Sequence, residues 1–279
     1  MIIITTLELS TVPVKEFYGQ VRQKMPQLVA EGRTPASVAY IGDQRMNADE
    51  PFKSAFRGNY FFTGDGAFKR EDGQEFKLQL NAPVLLGLKK DSKLSSGAMV
   101  IDNDSYEAVC GNRVLVLSAD KAALVHQAGY VRDGDSDIFV PENDEVEEVL
   151  QFLFRERIDL ADYAGGVAED TGKRSKSRVD KVLPVYLDKV DHASATGRSV
   201  VVGLTGSYSY VSGINYLDHY DGRLAGVAPE AHDAFEHPDL AVPTRRQVAQ
   251  VVFEHLGSVN LRDAITQKGL EDALRGTVR

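Results

Sequence analysis

Between residues 14 and 31, apolar side chains recur at mixed three-to-four spacing (Phe17, Val21, Leu28, Val29). That spacing predicts a helix stopped by Gly32, with Pro26 inside it as a kink or a split into two shorter helices. Thr34-Pro35 predicts the opening of a second helix through Met46. From Tyr60 the period falls to 2. Tyr60-Phe61-Phe62 reads as a strand entering a turn at Thr63-Gly64-Asp65-Gly66, and 67–70 and 74–80 read as hairpin arms about Glu71-Asp72-Gly73. In the second arm Phe76, Leu78 and Leu80 alternate with Glu75, Lys77 and Gln79, one apolar face and one wet one. Short apolar runs predict further strands at 84–88, 98–101 and 114–118, and Met1-Ile2-Ile3-Ile4-Thr5-Thr6 reads as a buried first strand.

Beyond residue 120 the pattern turns helical. Residues 121–129 predict a short helix. Residues 146–162 predict a longer one, with Val146, Val149, Leu150, Leu153, Phe154 and Ile158 along one side. Asn143 or Asp144 caps it, with Glu147 completing a capping box. Ala164-Gly165-Gly166 predicts a break, 178–190 a helix across Pro184, and 200–204 a strand. Three C-terminal helices are expected: 245–256 capped by Thr244, one capped by Asn260, and one after Gly269. The fold class is therefore α+β, a mixed N-terminal part followed by a helix-rich part around at least one buried strand. The change of character over 119–145 suggests two domains, 1–132 and 133–279.

Composition adds limits. The chain has 279 residues, 43 % apolar and 26 % charged, which is ordinary globular composition. No apolar run reaches the roughly 18 to 20 residues that span a bilayer, and the N-terminus lacks the basic start and small-residue cleavage site of a signal peptide. A single cysteine, Cys110, rules out an intramolecular disulfide. A soluble cytoplasmic protein with no membrane partner is expected. The net charge of −9 is local: eight acids and no Lys or Arg lie within 133–148, and the remainder is close to neutral. Lys173-Arg174-Ser175-Lys176-Ser177-Arg178 is the opposing basic run.

The segment 199–221, SVVVGLTGSYSYVSGINYLDHYD, carries the sharpest chemical suggestion. An apolar strand leads into Thr205-Gly206-Ser207, where glycine lets a phosphate approach the backbone and Ser207 can hold it. Ten residues separate Gly206-Ser207 from Asp218. In this the segment resembles nucleotidyltransferases of the polymerase-β type, whose Gly-Ser pair precedes two acids one residue apart. The resemblance implies Gly206 and Ser207 on a nucleotide phosphate and Asp218 on Mg²⁺ or Mn²⁺. The second acid falls at Asp221, with Tyr220 in the family's position, so both bind one metal only where the backbone turns. Ser207, Asp218 and Asp221 are the catalytic candidates, with Lys173 and Arg174 as the phosphate or nucleic-acid contact.

Other groupings suggest other chemistry. Asp65 with Glu75-Phe76-Lys77 resembles the metal-holding strands of PD-(D/E)xK nucleases. Asp133-Gly134-Asp135-Ser136-Asp137, with Asp144 at the twelfth place, resembles a calcium-binding EF-hand loop but has Ile138 where that loop needs glycine. Asp102-Asn103-Asp104 resembles the Asp-x-Asp of GT-A glycosyltransferases, and His219, His232 and His237 lie among acids that suit zinc or iron. Walker A, GxGxxG and GxSxG patterns are missing, which disfavours P-loop, Rossmann and α/β-hydrolase chemistry. Two function classes remain. One is metal-dependent nucleotidyl or phosphoryl transfer. The other is a non-catalytic interaction protein whose acidic face at 133–148 docks a basic partner, or its own basic run across a homo-oligomer. Overall charge does not indicate nucleic-acid binding.

Overall fold

The computed structural model describes residues 14–49, 52–190, 192–205 and 208–236. The expected strand at 1–6 and the helices from 245 onward lie outside the described residues. β1 (Val14–Tyr18) occupies the start of the stretch whose spacing predicts one long helix, and α1 is confined to Val21–Ala30. Gly19, at φ 130°, turns the chain between them, and Gly32, at φ 68°, follows the helix as predicted. Pro26 sits inside α1 without splitting it. Thr34-Pro35 forms a two-residue strand, β2 (Thr34–Pro35). Helix α2 (Val38–Asn47) therefore starts later, on Ser37, whose hydroxyl accepts the Tyr40 N–H at 3.1 Å. A short α3 (Phe52–Arg57) follows.

β3 (Phe61–Lys69) runs straight through Thr63-Gly64-Asp65-Gly66, where the residue types predict a turn. The glycines there serve close packing: a Cβ on Gly66 would fall 2.5 Å from the Phe68 ring and 2.9 Å from Ala82. Asp65, fully buried, accepts the N–H groups of Val38 (2.7 Å) and Asn81 (2.9 Å), so its charge is spent inside the fold. The hairpin into β4 (Glu75–Gln79) turns at Gly73 as expected. Residues 84–88 are not a strand, because Pro83 opens α4 (Pro83–Leu86), where its missing N–H is harmless. β5 (Leu94–Ser95) and β6 (Ala98–Val100) form a tight hairpin with Ser96 (φ 47°) and Gly97 (φ 74°) at its tip. α5 (Asn103–Glu107), β7 (Val114–Ser118), α6 (Ala119–Val125), β8 (Tyr130–Arg132) and β9 (Phe139–Pro141) follow.

α7 (Asp144–Phe154) follows its apolar pattern, with Asn143 accepting the Val146 N–H at 2.8 Å and Val146, Val149, Leu150, Leu153 and Phe154 buried. It stops at Arg155 and Glu156, both in the left-handed region (φ 58° and 54°), and does not continue to 162. α8 (Leu160–Ser175) passes unbroken through Gly165-Gly166. Asp159 caps its first turn, and Tyr163, Ala164, Val167 and Ala168 bury one face. Those terms outweigh the roughly 1 kcal/mol that each glycine costs a helix. The stretch 178–190 is not helical, since Pro184 cannot donate the N–H a helix needs there. It forms β10 (Lys181–Val182) and β11 (Val185–Tyr186). β12 (Thr196–Thr205), β13 (Tyr208–Ser212), β14 (Arg223–Val227) and α9 (Pro229–Glu236) complete the described chain.

Eleven strands form one sheet along the path β1-β14-β3-β12-β13-β11; β2 pairs with β14, β4 links β3 to β7, and β6 joins β12 and carries β5. A second sheet runs β10-β8-β9. The fold is α+β. Its compact units are Met1–Pro229 and Glu230–Arg279. A division between 132 and 133 would cut the large sheet, because β3 and β12 pair from Thr196↔Lys69 to Val202↔Phe61 across it. The core beneath that sheet joins Val21, Met25 and Leu28 of α1 to Phe62, Val201, Leu217 and Leu224. Arg45, 2 % exposed, ties α2 to its surroundings by donating to the carbonyls of Phe56, Asn59 and Val202 and to the Tyr163 hydroxyl.

Candidate functional site

Between β13 and β14 the chain makes two consecutive turns, closed by His219 N–H to the Tyr216 carbonyl (3.1 Å) and Gly222 N–H to the His219 carbonyl (3.3 Å). Main-chain bonds fix both ends of this segment. Leu217 N–H donates to the Gly97 carbonyl (2.9 Å), Arg22 N–H to the Leu217 carbonyl (3.0 Å), and Gly19 N–H to the Gly222 carbonyl (2.8 Å). Leu217 is fully buried in the core. Glycine is required at 222, where a Cβ would lie 2.5 Å from the Gly19 carbonyl oxygen. The outcome is a ledge bonded at both ends on which Tyr216 (52 % exposed) and Tyr220 (72 %) stand in solvent, with Tyr18 (53 %) from β1 reaching it at Asp221.

The polar partners of these rings come from the same residues. His219 stacks on Tyr220 at 5.0 Å between centroids, and the Arg223 guanidinium lies 5.1 Å from the Tyr18 ring. The Tyr18 hydroxyl donates to Asp221 Oδ1 at 3.1 Å, and the Tyr60 hydroxyl donates to the Asp221 carbonyl at 2.5 Å. The hydrogen bond to Asp221 raises the Tyr18 phenol above its ordinary value.

Beneath the ledge lies a buried ionic network. Arg198 donates through Nε to Asp188 Oδ2 (2.8 Å), through Nη1 to the Asn215 carbonyl (3.3 Å) and through Nη2 to the Ser96 carbonyl (2.8 Å). Its guanidinium also lies 5.4 Å from the Tyr216 ring. Asp188 Oδ2 is 3.1 Å from His192 Nε2, whose Nδ1 is 3.1 Å from the Ser95 hydroxyl. Burial alone would raise the Asp188 carboxyl, but the Val190 N–H, the Arg198 charge and the His192 contact outweigh it and hold it below the usual carboxylate range. Ser95, His192 and Asp188 have the connectivity of a nucleophile–base–acid relay. The small enclosed cavity here touches Asp188 and Arg198 but neither Ser95 nor His192. The network therefore acts as a strut between the β5–β6 hairpin and the ledge.

The residues singled out by sequence fall in several places. Gly206 and Ser207 lie outside the described residues. Asp218 and Asp221 occupy the third position of the two successive turns, so the backbone does bend between them, and Asp221 is engaged by Tyr18. Lys173 and Arg174 belong to the last turn of α8, where Lys173 pairs with Glu169 (2.5 Å) and Arg174 donates to the Arg57 carbonyl (2.7 Å). Among the described residues, no group of three or more His, Cys, Asp or Glu is arranged to hold a metal ion.

Asp65 faces the end of β4 away from Glu75, five residues along the strand, or about 17 Å at 3.4 Å per residue. Lys77 is buried and donates to the Tyr106 carbonyl (3.0 Å). Asp102 caps α5 by accepting the Ser105 N–H at 2.6 Å, a bond that holds its carboxyl below the ordinary value. In the acidic hairpin, Asp137 pairs with Arg132 (2.6 Å), Asp135 with Arg178 (3.3 Å) and Glu142 with Lys181 (2.5 Å), so part of the acidic and basic runs meet within one chain. His237 lies outside the described residues.

Sequence reasoning passed over Tyr18, Tyr216, Tyr220 and the Arg198 strut. One signal was present: residues 205–222 hold four of the chain's 11 tyrosines, with three serines, three glycines and one asparagine, a composition common in binding loops.

No family model and no curated protein matches this chain. A solved chain is similar in fold: it is described as showing the accommodation of massive sequence variation in Nanoarchaeota by the C-type lectin fold. The two share 15 % identity at a TM-score of 0.52, covering 79 % of this chain and 100 % of that one. That likeness concerns fold alone, and the neighbour's C-type lectin fold is also α+β. No helix among the described residues is long and apolar enough to cross a membrane.

Proposed function

We propose that this protein is a non-catalytic binding module that recognises a macromolecular surface through the ledge bearing Tyr216, Tyr220 and Tyr18. The carrying observation is the pinned double turn that holds two large aromatic side chains in solvent, with a third from β1 bonded to it through Asp221. Tyrosine suits recognition because it offers broad amphipathic contact while losing only two side-chain torsions on binding. Asp221 and Arg223 are engaged within the chain, by Tyr18 and Glu16, so partner choice rests on shape and polar contacts rather than on free charge. The fold likeness supports the reading, since the solved neighbour is described as a C-type lectin fold that accommodates sequence variation.

The test is partner capture by the wild-type chain and by Tyr216→Ser/Tyr220→Ser, with thermal unfolding followed in parallel. Unchanged stability together with capture at least tenfold weaker, about 1.4 kcal/mol, is the expected result. Equal capture by both would end the reading. A rise in Tm that needs a nucleotide and Mg²⁺ together, and disappears in Asp218→Asn, would replace it with nucleotidyl transfer.

A further inference from the structure

On the face formed by β9, α7 and the α7–α8 connection lie two adjoining grooves, of about 580 Å³ and about 400 Å³, which share Glu147, Gln151 and Glu156. The larger has an apolar side in which Ile138 and Val140 stand 60 % and 37 % exposed, with Ile158 also lining it. The smaller is lined by Leu115 and Phe152 together with Asp144 and Glu148. Asp159 adds a further carboxylate to the larger. Among the described residues, no Lys, Arg or His lines either groove. Burial, then the charges of Glu147 and Asp159, push the Tyr130 phenol in the larger groove up to about 12, which agrees with a negative potential there.

Local structure accounts for part of this charge. Asp144 and Glu147 stand in the first turn of α7, Asp159 caps α8, and Glu148 pairs with Lys121 at 3.4 Å. It does not account for Glu156, held at φ 54° between two helices, or for the exposed Ile138 and Val140 beside it. Apolar area flanked by carboxylates matches a Lys or Arg side chain, with its aliphatic stem and cationic head. Three of the four cations in the chain's own basic run are engaged elsewhere: Arg178 with Asp135 and Asp180, Lys173 with Glu169, and Arg174 with the Arg57 carbonyl.

We propose that the two grooves dock a lysine- and arginine-rich peptide segment of a partner protein, its apolar residues against Ile138, Val140 and Ile158 and its cations facing Glu147, Glu156 and Asp159. This surface is separate from the tyrosine ledge and does not depend on the function proposed for it. Binding here weakens as salt rises, because exposed charges are screened over about 8 Å at 0.15 M.

The probe is a fluorescein-labelled decapeptide alternating Lys-Arg pairs with Leu, with a Glu-substituted counterpart, followed by anisotropy from about 50 to about 300 mM salt. Glu147→Gln/Glu156→Gln keeps side-chain shape and should weaken binding about tenfold. Ile138→Ser should weaken it about threefold without altering the salt slope. Asp91→Asn, a control on an exposed loop, and Tyr216→Ser/Tyr220→Ser should leave it within about twofold.

Several results overturn the proposal: no binding at low salt, equal binding of the acidic counterpart, or equal loss in Asp91→Asn. Loss of peptide binding in the tyrosine variant would do the same. So would concentration-dependent self-association that vanishes in the double Gln variant, since a second copy would then be the occupant.

Discussion

The tyrosine ledge and the grooves beside α7 both hold apolar groups out in solvent, but different forces surround them. At the ledge three ionic groups are already committed to the fold: Arg198 is spent on Asp188 and two carbonyls, Asp221 on Tyr18, and Arg223 on Glu16. At the grooves Glu147, Glu156 and Asp159 line the surface with no Lys, Arg or His among the described lining residues, and Glu148 is paired with Lys121. A surface whose charges are internally satisfied selects partners by shape and responds little to salt. One whose charges are left over selects by sign and is salt-sensitive. The two should therefore separate in any titration with ionic strength.

Four substitutions sharpen or break that contrast. Asp188→Asn leaves Arg198 buried beneath the ledge without its counter-charge and should cost about 4 kcal/mol in urea unfolding at neutral pH. The same carboxylate sets an acid limit. Its folded value lies below its unfolded one, so the stability it contributes is present above about pH 4 and is lost as pH falls through the lower folded value. Wild-type protein should lose stability across that window, and Asp188→Asn should show a flatter acid limb. An unchanged limb would remove the strut from the account.

Leu217→Ala removes the ledge's buried anchor and should cost about 3 kcal/mol, while peptide binding at the grooves stays as it was. Gly222→Ala should cost about 2 kcal/mol, because the new methyl meets the Gly19 carbonyl and the backbone must move. A ledge that tolerates both changes without loss of partner capture is not held by its end bonds. Smallest of all, Asp221→Asn should bring the Tyr18 phenol down toward its ordinary value of about 10, read by ultraviolet difference titration.

The legible part of the fold was the part set by local pattern. Asn143 and the apolar stripe behind it place α7, and Glu71-Asp72-Gly73 places the β3–β4 turn, because caps and turns depend on neighbours in sequence. The misread parts were decided at long range. Thr63-Gly64-Asp65-Gly66 has turn composition, yet Asp65 meets N–H donors from Val38 and Asn81 and the strand runs on. Phe17 fits a helical period with Val21, yet pairing of Val14–Tyr18 with β14 draws it into a strand.

The candidate sites show the same limit. The acids at 218 and 221 were visible, but nothing local reveals that Tyr18, some 200 residues earlier in the chain, meets one of them. Nor does the sequence join Arg198 to the Ser96 and Asn215 carbonyls that it braces.

The bonds that fix the ledge run between main-chain groups, from Leu217 to Gly97 and Arg22 and from Gly222 to Gly19. Every residue type except proline supplies those same N–H and C=O groups. The side chains at 218 and 220 can therefore be exchanged by mutation while the contour of the backbone is inherited unchanged, whereas His219 belongs to the turn, its Nδ1 accepting the Asp221 N–H at 3.3 Å. Mutations at these two positions would change the chemistry that the ledge presents to solvent without each having to solve the folding problem again.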